Sequence, residues 1–310
     1  MATRTKQRPK KRPVQHAQRR VDATHRPGWR PWAAGAAALA VAIAIAAVVL
    51  ASGSSGDVAA NTAAAGLPDT PDYHSLLVAA GQPESLALGT HDGIYESKDG
   101  GRSWRQTVLG GQDAMNLAAG GRRTVWTAGH DVLARSEDGG LTWQNVQPDG
   151  LPHLDVHGFA VDPRDRTLWA ALAGDGLYRS RDGGESFELV TREVGAGVMA
   201  LAVTEDGLIL AGDMQQGLMV SSDDGRTWRR TLKAGLMGIA ANPNDPKRIV
   251  ATGPGILLST DGGRTWRTVK AIQQGAGPVA WAPSSPEVGY VVGFDGKLYK
   301  TSDGGRQWKG

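Results

Sequence analysis

One eight-residue motif occurs six times in this 310-residue chain at nearly even spacing. The copies are SKDGGRSW, SEDGGLTW, SRDGGESF, SSDDGRTW, STDGGRTW and TSDGGRQW, which begin at Ser97, Ser136, Ser180, Ser221, Ser259 and Thr301. Their first residues lie 39, 44, 41, 38 and 42 positions apart. Because repeats of about 40 residues are typical of propellers and solenoids, each copy is expected to belong to one unit of a repeating fold.

The chemistry of the motif favours a tight turn between two strands. Its Asp can accept hydrogen bonds from the backbone amides of the turn, and the glycines that follow can adopt positive φ. The closing aromatic side chain can bury about 150–250 Å² against a neighbouring sheet. The residues expected to have these structural roles are Asp99, Asp138, Asp182, Asp223, Asp261 and Asp303, with Trp104, Trp143, Phe187, Trp228, Trp266 and Trp308.

The motif resembles the Asp-box, or bacterial neuraminidase (BNR) repeat, of sialidases, sortilin-type receptors and a photosystem II assembly factor. The resemblance extends from about residue 73 to residue 310 and implies an all-β fold. The segments HGFAVDP and THDG are also similar to a bacterial group of membrane-anchored Asp-box propellers labelled glycosyl hydrolases. Since one fold hosts many activities, the resemblance implies a fold more strongly than a function.

Each repeat divides into four short apolar strands separated by Gly, Asp and Pro, and six inner strands accompany the six motifs. This pattern predicts a six-bladed β-propeller over residues 73–310. Only two residues follow Trp308. Either the sixth blade lacks most of its outer strand, or the segment before His74 pairs there and closes the ring.

The N-terminal region has a different composition. Residues 1–31 carry ten Lys or Arg and one Asp, and residues 32–51 are apolar and reach the length of about 20 residues that crosses a bilayer. Basic residues before such a segment favour a cytoplasmic N-terminus. We therefore expect a basic cytoplasmic tail, a transmembrane helix that acts as a signal anchor, a flexible linker over residues 52–72, and a propeller outside the cytoplasm. Secretion after signal cleavage is the alternative.

Several function classes find no support in the sequence. The chain has no cysteine, which excludes disulfides, thiolate metal sites and a cysteine nucleophile. It shows no phosphate-binding loop, dinucleotide fingerprint or serine elbow. The basic tail is interpreted as a topology signal, so no nucleic-acid partner is expected.

The histidines of the propeller are concentrated in its first half. All five precede residue 158, at positions predicted to lie on the face opposite the motif turns. Aligning the inner strands on their first residues places His74, Met115, His157, Met199, Met237 and Val279 in a ring around the channel mouth. The candidate metal ligands are His74, His91, Met115, His130 and His157, with His153, Met199, Met214 and Met237 as secondary candidates.

Two metals suit this set. Imidazole with thioether favours copper, particularly Cu(I), whereas several histidines with Asp92, Asp131 or Asp155 favour zinc. The competing interpretation is structural: methionines fill an irregular apolar channel, and histidines cap loops through hydrogen bonds.

Sialidase-like glycoside hydrolysis is the alternative function. The resemblance implies three arginines, a tyrosine nucleophile and acidic residues, but Arg192 alone lies in a suitable loop, and we assign no catalytic residue. Paired carboxylates could still serve a glycosidase, from Asp92, Asp131, Asp155, Asp175, Asp213 and Asp295. The sequence favours a noncatalytic binding or scaffold module, tethered to the membrane, whose partner is a glycan, an envelope protein or a metal ion.

Overall fold

Twenty-three β-strands form six antiparallel sheets in the computed structural model, which describes residues 66–107, 109 and 112–310. The predicted tail, the predicted transmembrane helix and residues 52–65 of the predicted linker lie outside the described residues. Across the ranges that are described, no helix has both the length and the apolar character needed to cross a bilayer.

The strands follow the six repeats in chain order. Their bounds are β1 Ser75–Val78, β2 Leu86–Thr90, β3 Gly93–Ser97, β4 Arg105–Gln106, β5 Asn116–Ala119, β6 Val125–Gly129, β7 Val132–Ser136, β8 Gln144–Asn145, β9 Val156–Val161, β10 Leu168–Leu172, β11 Leu177–Ser180, β12 Glu188–Thr191, β13 Val198–Val203, β14 Ile209–Asp213, β15 Gly217–Ser221, β16 Arg229–Leu232, β17 Gly238–Asn242, β18 Asp245–Thr252, β19 Gly255–Ser259, β20 Arg267–Ala271, β21 Ala276–Trp281, β22 Gly289–Gly293 and β23 Leu298–Thr301.

Each sheet is one blade with its strands in sequence order from inner to outer. Blades 1 to 5 comprise β1–β4, β5–β8, β9–β12, β13–β16 and β17–β20, and blade 6 comprises β21–β23. The six-bladed all-β propeller predicted from the repeats is confirmed. Since neighbouring strands are antiparallel, the motif turns between third and fourth strands lie on one face. The hairpins between second and third strands lie on the other, which we call the channel face.

Blade 6 closes the ring without a full fourth strand. In its place, Lys309 forms an isolated antiparallel bridge with Lys300 of β23. Residues 66–73, the described part of the segment before His74, contain no strand, but Leu67 and Tyr73 pack on the core between blades 6 and 1. The hydroxyl of Tyr290 in blade 6 donates to the Pro83 carbonyl oxygen in blade 1 at 2.9 Å. Side-chain packing and this bond therefore join the first blade to the last.

The hydrogen bonds of the Ser or Thr and of the Asp recur in all six motif turns, and the indole bond occurs in the five copies that end in Trp, as the first copy illustrates. The Ser97 hydroxyl donates to Asp99 Oδ1 at 2.8 Å and accepts the Gly101 N–H at 2.8 Å. Asp99 Oδ1 also accepts the Ser103 N–H at 3.0 Å. The indole of Trp104 donates to the Gly101 carbonyl oxygen at 3.1 Å and is buried. The motif residues thus satisfy the hydrogen-bonding groups of the turn among themselves, and the aromatic ring packs in the space between blades.

The motif carboxylates predict an acid-dependent loss of stability. Hydrogen bonds from hydroxyl and backbone N–H groups, those of Thr227 and Thr265 foremost, lower the pKa of Asp223 and Asp261 from 3.8 to about 2. Because the folded pKa is the lower one, this stabilisation is fully present above pH 3.8 and is lost as the pH falls through about 2. Thermal unfolding at constant ionic strength should show a falling midpoint between pH 4 and pH 2.

An Asp261→Asn variant provides the control for this profile. It removes one of the titrating carboxylates, so its midpoint should fall less steeply over the same interval than that of the unaltered chain. A midpoint that stays constant from pH 4 to pH 2 in the unaltered chain would show that the motif carboxylates do not stabilise the folded protein.

Candidate metal centre on the channel face

The register of the blades determines which residues reach the channel mouth. In blade 1 the backbone N–H of His74 donates to Gly89 just before β1 begins, and His91 lies at the tip of the β2–β3 hairpin. In blade 2, His130 lies at the same hairpin position. His157 is the second residue of β9 in blade 3. Neighbouring blades therefore place these four side chains next to one another on the channel face.

Five of the six predicted ring positions agree with the strand register, and one is wrong. In blade 1, Leu76 pairs with Leu88, the third residue of β2. The ring residue His74 lies two residues before Leu76. In blade 6, Val279 has this same pairing, so it corresponds to Leu76 and not to His74. The residue at the sixth ring position is Gly277. The difference arises because β21 begins at Ala276, so Val279 lies two residues further along its strand than the ring position.

Each of the first three blades also carries an aspartate two residues before its ring position. These residues are Asp72, Asp113 and Asp155. The sequence interpretation included Asp155 but overlooked Asp72 and Asp113. The signal was present as Asp-x-His at residues 72–74 and 155–157 and as Asp-x-Met at residues 113–115. We call the four histidines His74, His91, His130 and His157, with these three aspartates, the His/Asp arc.

The arc contains three overlapping groups of metal-ligand type, each with two histidines and one aspartate. The blade 1 group is Asp72, His74 and His91; the central group is His91, Asp113 and His130; the blade 3 group is His130, Asp155 and His157. Within each group one ligand atom per residue lies within 4.8 Å of the others. The imidazole rings follow one another at centroid distances of 4.3, 5.3 and 5.3 Å.

In the blade 1 group the donor atoms converge on a small space. His74 Nε2 lies 3.3 Å from His91 Nδ1 and 3.4 Å from Asp72 Oδ1. His91 Nδ1 lies 2.5 Å from Asp72 Oδ2. Atoms bound to a tetrahedral zinc ion at about 2.0–2.1 Å are about 3.3 Å apart. The two imidazole nitrogens already have this separation.

The blade 3 group has a similar geometry. Asp155 Oδ1 lies 3.0 Å from His157 Nε2 and 3.4 Å from His130 Nε2. This oxygen is buried and forms no hydrogen bond of good geometry with any residue that the structure describes. Two imidazole nitrogens and a carboxylate oxygen therefore meet again at distances that suit one ion.

Asp113 lies between these two groups. Its Oδ2 accepts the backbone N–H of His130 at 2.8 Å and also contacts His130 Nδ1. Its Oδ1 is buried and has no hydrogen-bond partner among the described residues. Asp72 accepts the backbone N–H of His91 in the same way, at 3.0 Å. Each of these carboxylates fixes the hairpin tip that carries the adjacent histidine.

The other half of the ring has no room for such acids. The positions equivalent to the three aspartates are Gly197, Gly235 and Gly275. A Cβ atom at these glycines would lie 2.6 Å from Asp213 Oδ2, 2.6 Å from the Met214 carbonyl oxygen and 2.8 Å from the Gly253 carbonyl oxygen, respectively. The acidic half-ring is therefore confined to blades 1 to 3.

The methionines and His153 take other positions. Met199 and Met237 line the central channel together with His74, and Met115 is buried. Met214 is 51% exposed at its hairpin tip. His153 is exposed and accepts the Asp155 N–H at Nδ1. Asp92 and Asp131, which sequence reasoning considered as zinc ligands, belong to none of the three groups found among the described residues.

Burial affects the charge of the innermost imidazole. The side chain of His74 is 14% exposed. Burial lowers its pKa from the ordinary value of 6.5, and the neighbouring His91 lowers it further, against the opposing effect of Asp72. His74 is therefore held in the neutral form that coordinates metal ions.

Acids proposed for the glycosidase alternative have structural partners. Asp175 forms an ion pair with Arg192 at 3.1 Å and accepts the Tyr178 hydroxyl at 3.2 Å. Asp295 accepts the Tyr299 hydroxyl at 2.7 Å. Asp213 is buried and accepts two backbone N–H groups of its own hairpin at 2.7 Å. These contacts give each of the three acids a structural role.

Comparison with known proteins adds the fold class. No family model matches the chain, and no curated protein matches it. Among solved structures, the GH74 xyloglucanase from Xanthomonas campestris has a TM-score of 0.56 at 18% identity, over 81% of this chain and 46% of that enzyme. The chain thus spans less than half of the xyloglucanase.

Two structures of YCF48 are also similar. The protein bound to a D1 peptide has a TM-score of 0.51 at 19% identity, over 76% of this chain and 79% of that chain. YCF48 from Cyanidioschyzon merolae has a TM-score of 0.52 at 16% identity, over 76% of this chain and 97% of that chain. At these identities the similarity shows the β-propeller fold alone, which is shared by a glycoside hydrolase and by propellers of other function.

Proposed function

We propose that this protein is a noncatalytic, metal-binding β-propeller that is tethered to the membrane by residues 32–51 and faces the extracytoplasmic side. The observation that carries the proposal is the convergence of four histidines and three aspartates from three blades on one arc of the channel face. The six motif turns have hydrogen bonds in common, and we infer that they are Asp-box repeats whose aromatic residues hold neighbouring blades together. The apolar composition of residues 32–51 supports the membrane anchor.

The donor set favours a divalent ion of intermediate softness. Each group offers two imidazoles and one carboxylate, a combination that suits Zn(II) or Cu(II). The carboxylates make Cu(I), which prefers soft sulfur ligands, the less suitable choice. Three protein ligands leave a coordination position open, so a bound ion can also hold an oxygen or nitrogen atom of a glycan or an envelope protein.

The test is a titration of the purified full-length chain with Zn(II) and, separately, with Cu(II). We expect saturable binding at a definite stoichiometry by calorimetry and elemental analysis. The double variant His74→Ala/His157→Ala removes one ligand from the blade 1 group and one from the blade 3 group, and it should weaken binding by at least about 100-fold. His25→Ala is the control, because this histidine lies in the predicted cytoplasmic tail and not in the propeller, and it should leave binding unchanged.

Two results would contradict the proposal. Binding that is the same in the double variant and in the unaltered chain would place the ion elsewhere. Turnover of sialosides or other aryl glycosides would show that the propeller is a glycoside hydrolase, which is the alternative function.

A further inference from the structure

We infer that the His/Asp arc holds two metal ions, one in the blade 1 group and one in the blade 3 group, with Asp113 as the positioning residue between them. This inference rests on the proposed metal binding. The two outer groups share no residue, whereas the central group shares His91 with one and His130 with the other. Two ions can therefore be bound together only in the outer groups, each with its own three ligands.

The contacts of His130 favour this division over a single central ion. Its Nδ1 faces Asp113, and its Nε2 faces Asp155 and the blade 3 group. A carboxylate that accepts Nδ1–H leaves the lone pair of Nε2 free for a metal and fixes the orientation of the ring. Asp113 thus orients His130 so that its Nε2 can bind a metal ion in the blade 3 group.

The contacts of His91 assign it to the other ion. Its Nδ1 lies 3.3 Å from His74 Nε2 and 2.5 Å from Asp72 Oδ2, so Nδ1–H donates to Asp72 when no metal is bound. A metal ion bound between these atoms takes the place of that hydrogen, because imidazole and carboxylate ligands are deprotonated when they bind a metal. The backbone N–H of His91 donates to the second oxygen of Asp72 at 3.0 Å. One carboxylate therefore anchors the hairpin and presents an oxygen to the same space as both nitrogens.

Charge also supports two ions with Asp113 between them. Two divalent cations on one arc repel each other, and a negative charge placed between them offsets that repulsion. The side chain of Asp113 is 11% exposed, and its Oδ1 is buried without a hydrogen-bond partner in the part of the chain that the structure describes. An uncompensated buried carboxylate oxygen is costly in the metal-free protein, and neighbouring cations would stabilise it.

The experiment is zinc titration of the chelator-stripped full-length chain, with bound zinc counted by elemental analysis. We expect two ions per chain, and one ion per chain in each of the single variants His74→Ala and His157→Ala. Asp113→Asn should keep both ions but bind the blade 3 ion about 10–100-fold more weakly, as is typical when a residue that orients a metal-bound histidine is replaced. The blade 1 ion should keep its affinity.

Asp72→Asn and Asp155→Asn form a second pair of variants that preserves side-chain shape, should either alanine variant fail to fold. Each should likewise bind only one ion tightly. A wild-type chain that binds a single ion, and loses it in Asp113→Ala but in neither single histidine variant, would overturn the two-ion inference and leave the proposed function standing. Absence of any zinc or copper binding would refute the proposed function itself.

Discussion

Replacing Trp308 with alanine is expected to destabilise the propeller by about 3–5 kcal/mol, the range observed when a buried Trp is truncated. Trp308 is 5% exposed and packs in the core between blades 5 and 6, with its ring centroid 6.4 Å from that of Trp281. Its indole also donates to the Gly305 carbonyl oxygen at 3.1 Å. The substitution leaves a cavity in the blade that lacks a full outer strand.

The matched control is Trp143→Ala in blade 2. Trp143 has the same motif position and the same indole hydrogen bond, but it is only half-buried. We expect this variant to lose about 1–2 kcal/mol of folding stability, because folding removes less apolar surface of Trp143 from water. Urea unfolding with linear extrapolation measures both values. Equal losses in the two variants would show that burial of Trp308 gives blade 6 no special importance.

The blade count could be predicted from the sequence because the motif is locally self-sufficient. The hydrogen bonds of each turn form within its own eight residues, so the pattern does not depend on distant contacts. The position of the histidines on one face followed from the same register. His74 lies directly before β1, His157 is the second residue of β9, and His91 and His130 lie at hairpin tips, so counting from the motifs placed all four on the channel face.

What the sequence interpretation missed depends on longer-range contacts. Asp72 and Asp113 lie in the loops before inner strands, and their role becomes visible only when they meet the hairpin tips of His91 and His130, 19 and 17 residues later. Val279 was misplaced because β21 begins three residues earlier, at Ala276, and the glycine and proline at residues 277–278 are residue types that are depleted in strands. Tertiary register, rather than composition, determined these positions.

Asn116→Ala is the second substitution for which we expect a large effect, a loss of about 2–4 kcal/mol. Asn116 is 7% exposed and lies in β5 directly after the ring position of blade 2. Its amide donates to the Val156 carbonyl oxygen at 2.9 Å, and its Oδ1 accepts the Phe159 N–H at 3.0 Å. Alanine leaves both backbone groups of β9 buried without partners, at about 1–3 kcal/mol each.

Ser75→Ala is the control for this variant, because Ser75 holds the equivalent position in blade 1. Its hydroxyl makes one bond, to the Ala114 carbonyl oxygen at 3.3 Å, in a partly buried place. We expect a loss of about 0.5–1.5 kcal/mol, the net contribution of an ordinary hydrogen bond. A loss in Asn116→Ala as small as that in Ser75→Ala would mean that water replaces the missing amide.

Asn116 also connects the stability of the ring to the metal centre. The bond to Val156 fixes the residue that precedes His157, so it sets where the blade 3 group lies relative to blade 2. Asn116→Ala should therefore weaken zinc binding in the blade 3 group and leave the blade 1 group unchanged, when zinc titrations are compared with the unfolding data. If both groups weaken equally, the variant acts through general loosening of the propeller. If the blade 3 group alone weakens, the hydrogen bonds that join blades 2 and 3 are what bring the ligands together.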